Sequence, residues 1–498
     1  MRFDGVFDQL NRCNEANTGE NKNMVNGNTE RLLDPNQKNE DDLKHRIWDE
    51  LKKLWVIGAP SILARVSSFG IIVVTQAFMG HIGELELASF SLVQTTNMRF
   101  VDGILYGLGS VIPTLCGQAF GAGQYHMMGI YLQQSWIILL TVSIFLVPVF
   151  IFTTPILRLL GETEELSNYA GKLSPWFIPV LYYHILGIST QMYLQAQLKI
   201  MVVGWITAIS FVINLILSWI MVDKLNWGVP GAMGAMTVSV CLILFTVFIY
   251  VFGGWCKDSW RGFSKSALNE LWPVVKLSIS SGIMLCFEIW NSAVLILLVG
   301  YMKNAKVAVS AFSICLSIIA WVYMISTGFS GAASVRVANE LGKGDGMAAK
   351  FSIKINLSIS LTVGVIFSIL ALVFSETISY AFTSSTEVAK EVSGLSVLLA
   401  LIILLNSIQP VFSGVAIGAG WQSLVASVNL FCNYVIGFPL AIFLGYVFHL
   451  QVKGVWIGMI SGLAAQTVVL AYITWRTDWD AQVDKTMARL SRWILPSS

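Results

Sequence analysis

Twelve apolar segments follow one another along the chain, near residues 54–78, 88–114, 129–153, 171–194, 200–222, 229–252, 271–300, 307–333, 353–375, 394–416, 421–446 and 454–475. Each is long enough to cross a hydrocarbon layer of ~30 Å as a helix rising about 1.5 Å per residue. Between them the chain can form little else, because backbone groups in lipid must find their partners within the segment. The composition agrees: 55% of residues are hydrophobic and 12% charged, far below the roughly 25% charged content of soluble domains. The expected fold class is an all-α membrane protein of twelve transmembrane helices. One boundary needs an argument of its own, since the run from Val392 to Val452 is uncharged and too long for one helix. We cut that run at "GAGWQS" (418–423), where two glycines and a tryptophan suit an interfacial turn.

Charge distribution orients the array. With the amino terminus in the cytoplasm, 21 Lys and Arg fall on cytoplasmic tails and loops and seven on the other side; without the first 53 residues the balance is 12 to seven. The positive-inside rule then expects both termini in the cytoplasm. Only Arg65, Arg99 and Lys276 are left inside spans. The net charge of +2 gives no reason to expect a nucleic-acid partner. The seven cysteines are scattered without a C-x-x-C, so packing is expected of them and no metal site. The first 53 residues contain no apolar signal region, so targeting is expected from the first span, and residues 1–45 are expected to be a disordered cytoplasmic tail.

The two halves of the chain repeat at an offset near 220. "MGHIGELELASF" (79–90) resembles "VGYMKNAKVAVSAF" (299–312), "QAFGAGQ" (118–124) resembles "NELGKGD" (339–345), and "GVPGAMG" (228–234) resembles "GVWIGMI" (454–460). Six spans return a chain to its starting side, so the copies are parallel and expected about a pseudo-two-fold along the membrane normal. The expected organisation is an amino-terminal lobe over 46–252, a cytoplasmic linker over 253–270, a carboxyl-terminal lobe over 271–475 and a cytoplasmic tail over 476–498. No phosphate-binding loop, H-E-x-x-H or G-x-S-x-G is present, which points away from an ATP-driven pump, a protease or any other enzyme. Parallel repeats without an energy-coupling domain are the pattern of a secondary transporter.

Within the spans, polar residues stand out. Glu288 lies near the middle of "SGIMLCFEIWNSAVLILLVG" (281–300), where an acid costs ~2.5–3.5 kcal/mol to insert. Helical spacing puts it on one stripe with Ser281, Asn291 and Ser292, and a carboxyl withdrawn from water keeps its proton to higher pH than one in water. Glu288 is therefore the expected proton-coupling residue, with the proton as the coupling ion and no organic cofactor. Asn406, Gln409, Pro410 and Ser413 form a second stripe, in which Pro410 opens the backbone hydrogen bonding. Tyr323 with Trp321, and Asn433 with Tyr434, offer stacking and hydrogen bonds to a flat solute. Asn291, Ser292, Asn406, Gln409, Tyr323, Asn433 and Tyr434 are the candidate solute-binding residues. Arg99 and Asp102, three apart, are expected to form an ion pair in the amino-terminal lobe. Gly121, Gly123, Gly342 and Gly344 are expected to serve turns and close helix approach, and with Pro410 to set gating geometry.

The motifs "CGQAFGAGQ" (116–124), "RVANELGKGD" (336–345), "SGVAIGAGWQ" (413–422), "CFEIW" (286–290) and "RTDWD" (476–480) resemble those of the multidrug and toxic compound extrusion family in its plant form. The resemblance covers roughly residues 45–482. It implies a V-shaped pair of six-helix lobes and cation-coupled, in plants usually proton-coupled, export of organic solutes and xenobiotics by a monomer embedded in membrane lipid. "NSIQPVFSGVAIG" (406–418) is similar to the branch that loads flavonoid conjugates into the vacuole, which favours the vacuolar over the plasma membrane. Many plant members carry an aspartate where Asn406 stands, so this chain departs from a two-carboxylate site. Two alternatives stand beside this reading: a lipid-linked oligosaccharide flippase, which needs a strongly cationic cavity, and a channel or receptor without coupling.

Overall fold

A computed structural model describes the backbone over residues 35–268, 271–300, 305–380 and 385–491, and side chains over 43–268, 271–287, 311–380 and 385–491. The described residues are helical or in short connections, with no strand among them. We number the crossings α1 (Pro35–Ile82), α2 (Glu84–Gly121), α3 (Tyr125–Ile151), α4 (164–196), α5 (Ile200–Lys224), α6 (Gly228–Trp255), α7 (Leu271–Gly300), α8 (Ala305–Lys343), α9 (Gly346–Ser379), α10 (Ser396–Ala419), α11 (Gln422–Val447) and α12 (Gln451–Arg476), followed by α13 (Trp479–Ser491). Ten of these are long and apolar enough to span by length and composition among the described residues. The other two are α7, whose described side chains end at Phe287, and α4, which is broken.

α4 is broken for a local reason. Pro175 and Pro179 lack the N–H that would continue the ladder, and each stands second in a new short helical piece, Ser174–Phe177 and Ile178–Tyr182. A π-helical turn follows over Tyr183–Ile188 before the helix resumes at Ser189. α2 carries a matching π turn over Gln94–Met98, within which Thr96 Oγ1 donates to the Leu92 carbonyl at 2.6 Å. π turns of this kind re-aim side chains and recur at functional sites. The uncharged run divides where Gly420, at φ 81°, ends α10 and Gln422 starts α11.

The two halves meet on glycine. A methyl group added to Gly121 would overlap the carbonyl of Asn339, and one added to Gly342 would overlap the carbonyl of Gln118. Residue i touching j′ while i′ touches j is the signature of a two-fold contact. Small residues that let backbones touch are the usual means of packing helices where lipid supplies no hydrophobic drive. Gly123 and Gly344 follow at φ 72° and 88° and terminate the two helices in the left-handed region that glycine tolerates. Around this crossing Gln118 Nε2 donates to the Gly418 carbonyl at 3.1 Å, Gln422 Nε2 donates to Thr114 Oγ1 at 2.9 Å, and Thr114 Oγ1 donates to the Ile417 carbonyl. Beside it, the buried Arg336 guanidinium binds both oxygens of Glu50 at 2.8 and 2.9 Å and Glu340 Oε1 at 2.7 Å.

Two expected tails are helical. α1 begins at Pro35, within the 1–45 segment read as disordered. The carboxyl-terminal segment forms α13, whose Trp479 and Leu490 are buried; Trp479 lies 5.4 Å from the Trp421 ring, and Arg489 NH1 donates to Gln118 Oε1 at 3.0 Å. Amphipathic burial, not spanning, orders it. The segment between α6 and α7 is likewise docked: Gln133 donates to the Gly262 carbonyl at 3.0 Å and accepts from the Ser264 N–H at 2.9 Å, and Tyr193 O–H donates to Ser259 Oγ at 2.8 Å.

Candidate functional site

Polar side chains expected at the carboxyl-terminal site fall into one connected set and several separate ones. Asn433, in the π turn Leu430–Gly437 of α11, donates to Gln466 Oε1 at 2.8 Å; Gln466 donates to Asn429 Oδ1 at 2.5 Å; and Asn429 donates to the Met284 carbonyl at 3.3 Å. One residue along from Asn433, the Tyr434 hydroxyl donates to the Phe287 carbonyl at 3.1 Å, its ring 5.5 Å from that of Phe287. This chain of amides ties α11 and α12 to the stretch of α7 that leads into Glu288. Carbonyls accepting from side chains remain polar sites within the helix, which is how bundle interiors tolerate acids and solutes. The side chains of Glu288, Asn291 and Ser292 lie outside the described residues; their backbone is helical.

On α10, buried Gln409 donates to Ser413 Oγ at 3.0 Å, so the two close on one another. Asn406 is half-buried. Pro410, inside α10, supplies no N–H to the carbonyl four residues back, which belongs to Asn406. Tyr323 on α8 is half-buried and lies near Arg65 of α1. Its neighbour Trp321 packs edge-on against Phe69 at 4.9 Å.

The Arg99–Asp102 pair does not form. Arg99 is exposed, and Asp102 instead meets His184 of α4, Nδ1 to Oδ1, at 2.7 Å, with side chains 10% and 19% exposed. Both residues lie in the regular helix Arg99–Gly109, so the spacing holds, but Arg99 is exposed and Asp102 takes His184 of the neighbouring helix as its partner. Rings of Tyr106 and Tyr183 flank the His184 ring at 5.5 and 5.6 Å, and Gln191 Nε2 donates to the Tyr183 hydroxyl at 3.1 Å. A cavity of about 10 Å³, lined among others by Tyr106, His184, Ser189 and Met192, adjoins them. That is room for one water and none for a solute. Sequence reading passed over His184, although a histidine inside "PVLYYHILG" (179–187) was visible as the one imidazole in an apolar segment. It passed over Asn429 and Gln466 as well, and Asn429 at four residues from Asn433 carried a helical-face signal.

Comparison with known proteins matches this arrangement. The family model described as MatE matches residues 60–220 and again 281–443, one copy in each half. Protein DETOXIFICATION 24 of Arabidopsis thaliana is 50% identical over 456 residues, covering 92% of this chain and 91% of its own, and Protein DETOXIFICATION 20 of the same plant is 50% identical over 473 residues, covering 94% and 96%. The crystal structure of the eukaryotic MATE transporter AtDTX14 superposes with a TM-score of 0.85 at 31% identity, covering 89% of this chain and 99% of that one. The Vibrio cholerae MATE transporter VcmN in its bent form shares the fold at a TM-score of 0.72 and 18% identity, over 90% and 99% of the two chains. With the family model matched in both halves and half of all residues shared with plant relatives along almost the whole length, this multi-pass membrane protein belongs to the MatE family of MATE transporters.

Proposed function

We propose that the protein is a proton-coupled antiporter of organic solutes, with Glu288 as the coupling carboxylate. The observation that carries this reading is the Tyr434 hydroxyl on the Phe287 carbonyl at 3.1 Å, which holds the turn before Glu288 against the amide chain of Asn433, Gln466 and Asn429. In the working cycle, a polar or cationic solute entering beside these amides favours the ionised carboxylate. Protonation from the other side removes that charge and releases the solute. Asn406, Gln409, Tyr323, Asn433 and Tyr434, with Asn291 and Ser292, are the solute-contacting residues of this proposal, and no cofactor besides the proton takes part.

The solutes are flavonoid conjugates, alkaloids and comparable secondary metabolites or xenobiotics, in keeping with relatives named for detoxification. We place the protein in the vacuolar membrane as a monomer with both termini in the cytoplasm, the lobes bounded as 46–252 and 271–475. A flippase is less well supported, since of the three in-span cations read from the sequence Arg99 and Lys276 are exposed and Arg65 alone is left to meet a pyrophosphate, while the buried Arg336 is already paired with Glu50 and Glu340. Uptake of a radiolabelled flavonoid glucoside or organic cation into sealed proteoliposomes, driven by an imposed pH gradient and abolished by a protonophore, tests the reading. Uptake indifferent to the gradient rejects proton coupling.

A further inference from the structure

His184 and Asp102 are polar, largely enclosed and unused by the mechanism above. They come from different crossings, α4 and α2: His184 lies within the π turn Tyr183–Ile188, and Asp102 in the regular helix Arg99–Gly109, one turn past the π turn Gln94–Met98. Their facing atoms, Nδ1 and Oδ1, are 2.7 Å apart, and neither makes a hydrogen bond elsewhere. Two bare lone pairs repel at that distance, so the contact holds together only with a proton on one of the two atoms. The adjoining cavity, with room for one water, gives that proton a partner other than the pair itself.

We propose that Asp102 and His184 form a proton-binding site of the amino-terminal half, loaded and unloaded separately from the α7 carboxylate. Charge around the site is sparse. Tyr106 and Tyr183 flank it, Arg65 of α1 acts on Tyr106, and Tyr323 of α8 lies beyond Arg65. α7 packs on α2 where Gly107 meets Gly282 backbone to backbone; its Lys276 is exposed, and the side chain of Glu288 is outside the described residues. Protonation therefore changes the charge of an element that lies directly against α7, the helix carrying the other acid. Through that contact the occupancy of the pair biases the arrangement of the two halves. A role in transport rests on the proton-coupled reading above, whereas the capacity to bind a proton does not.

The chain has five histidines, and His45, His81, His126 and His449 are exposed. Replacing these four by glutamine leaves His184 as the only imidazole, whose nitrogen resonances are then followed in ¹⁵N-histidine-labelled protein between about pH 5 and about pH 8. The expected result is a single titration that Asp102→Asn alters, because the carboxylate is the partner of the ring nitrogen. Resonances constant through the range, or a titration that Asp102→Asn leaves in place, overturn the site. In proteoliposomes, His184→Gln is expected to keep solute counterflow while its gradient-driven uptake loses pH dependence on one limb; a wild-type pH profile overturns the coupling role. Absence of gradient-driven uptake in the wild type would reject the proton-coupled reading alone, and the resonance titration would still decide whether the pair binds a proton.

Discussion

Gly121 and Gly342 occupy equivalent places in the two repeats, and each lets its helix rest directly on the backbone of the other half, against Asn339 and Gln118. The short motifs "QAFGAGQ" and "NELGKGD" are thus explained by packing. A glycine is needed where the helices cross and another two residues on, where the helix ends at positive φ. Gly121→Ala and Gly342→Ala each force the backbones apart. A loss of about 1–3 kcal/mol of stability is expected for either, read as a lower melting temperature of the detergent-solubilised protein. Unchanged melting in both would contradict the crossing.

Arg336 is buried between Glu50 and Glu340, joining α1 of one half to α8 of the other. Removing the guanidinium leaves two buried carboxylates with only the more exposed Lys343, 3.1 Å from Glu340, and Lys53, 3.9 Å from Glu50, to offset them, and Arg336→Leu is expected to cost about 3 kcal/mol. Replacing all three residues by leucine removes every buried charge and is expected to recover most of that stability. Melting of the single and triple variants separates a charge network from simple packing: a triple variant no better than the single one contradicts the network.

Trp479 and Arg489 hold α13 against Trp421 and Gln118, so the last helix touches both halves. Trp479→Ala removes the buried anchor of a short helix that has few others, at about 3–5 kcal/mol of docking stability. The expected readout is rapid proteolysis within residues 479–491 while the spans remain intact. Protection equal to wild type would show that the contact with Trp421 is dispensable.

How far these features could be read in advance depended on the range of the signal. The spans and the cut at 418–423 follow from uninterrupted apolar length and from two glycines, both local and strong. The Asp102–His184 contact joins residues 82 apart, and His184 sits in a π turn, which adds a residue without a composition of its own. Regular helical spacing therefore selected Arg99 as the partner. α13 escaped notice because its order comes from a few contacts, chiefly Trp479, Leu490 and Arg489, in an otherwise polar segment. The chain of Asn429, Asn433 and Gln466 was half legible, as one helical face of α11; its third member depends on how α12 lies against it.

Asn406→Asp places a second carboxyl on α10 beside the backbone opened by Pro410. Two nearby carboxylates resist joint ionisation and release protons in two macroscopic steps. The pH profile of gradient-driven uptake is expected to broaden or shift. An unchanged profile would place α10 too far from Glu288 to share its proton.

The most direct test of proton coupling at Glu288 is the Glu288→Gln variant in sealed proteoliposomes, compared with wild type at matched protein content. Two fluxes are measured, uptake driven by an imposed pH gradient and exchange of labelled for unlabelled solute without one. The amide keeps the shape of the side chain and cannot exchange a proton, so the account predicts that gradient-driven uptake disappears while solute exchange persists. Gradient-driven uptake at the wild-type rate in Glu288→Gln would contradict it.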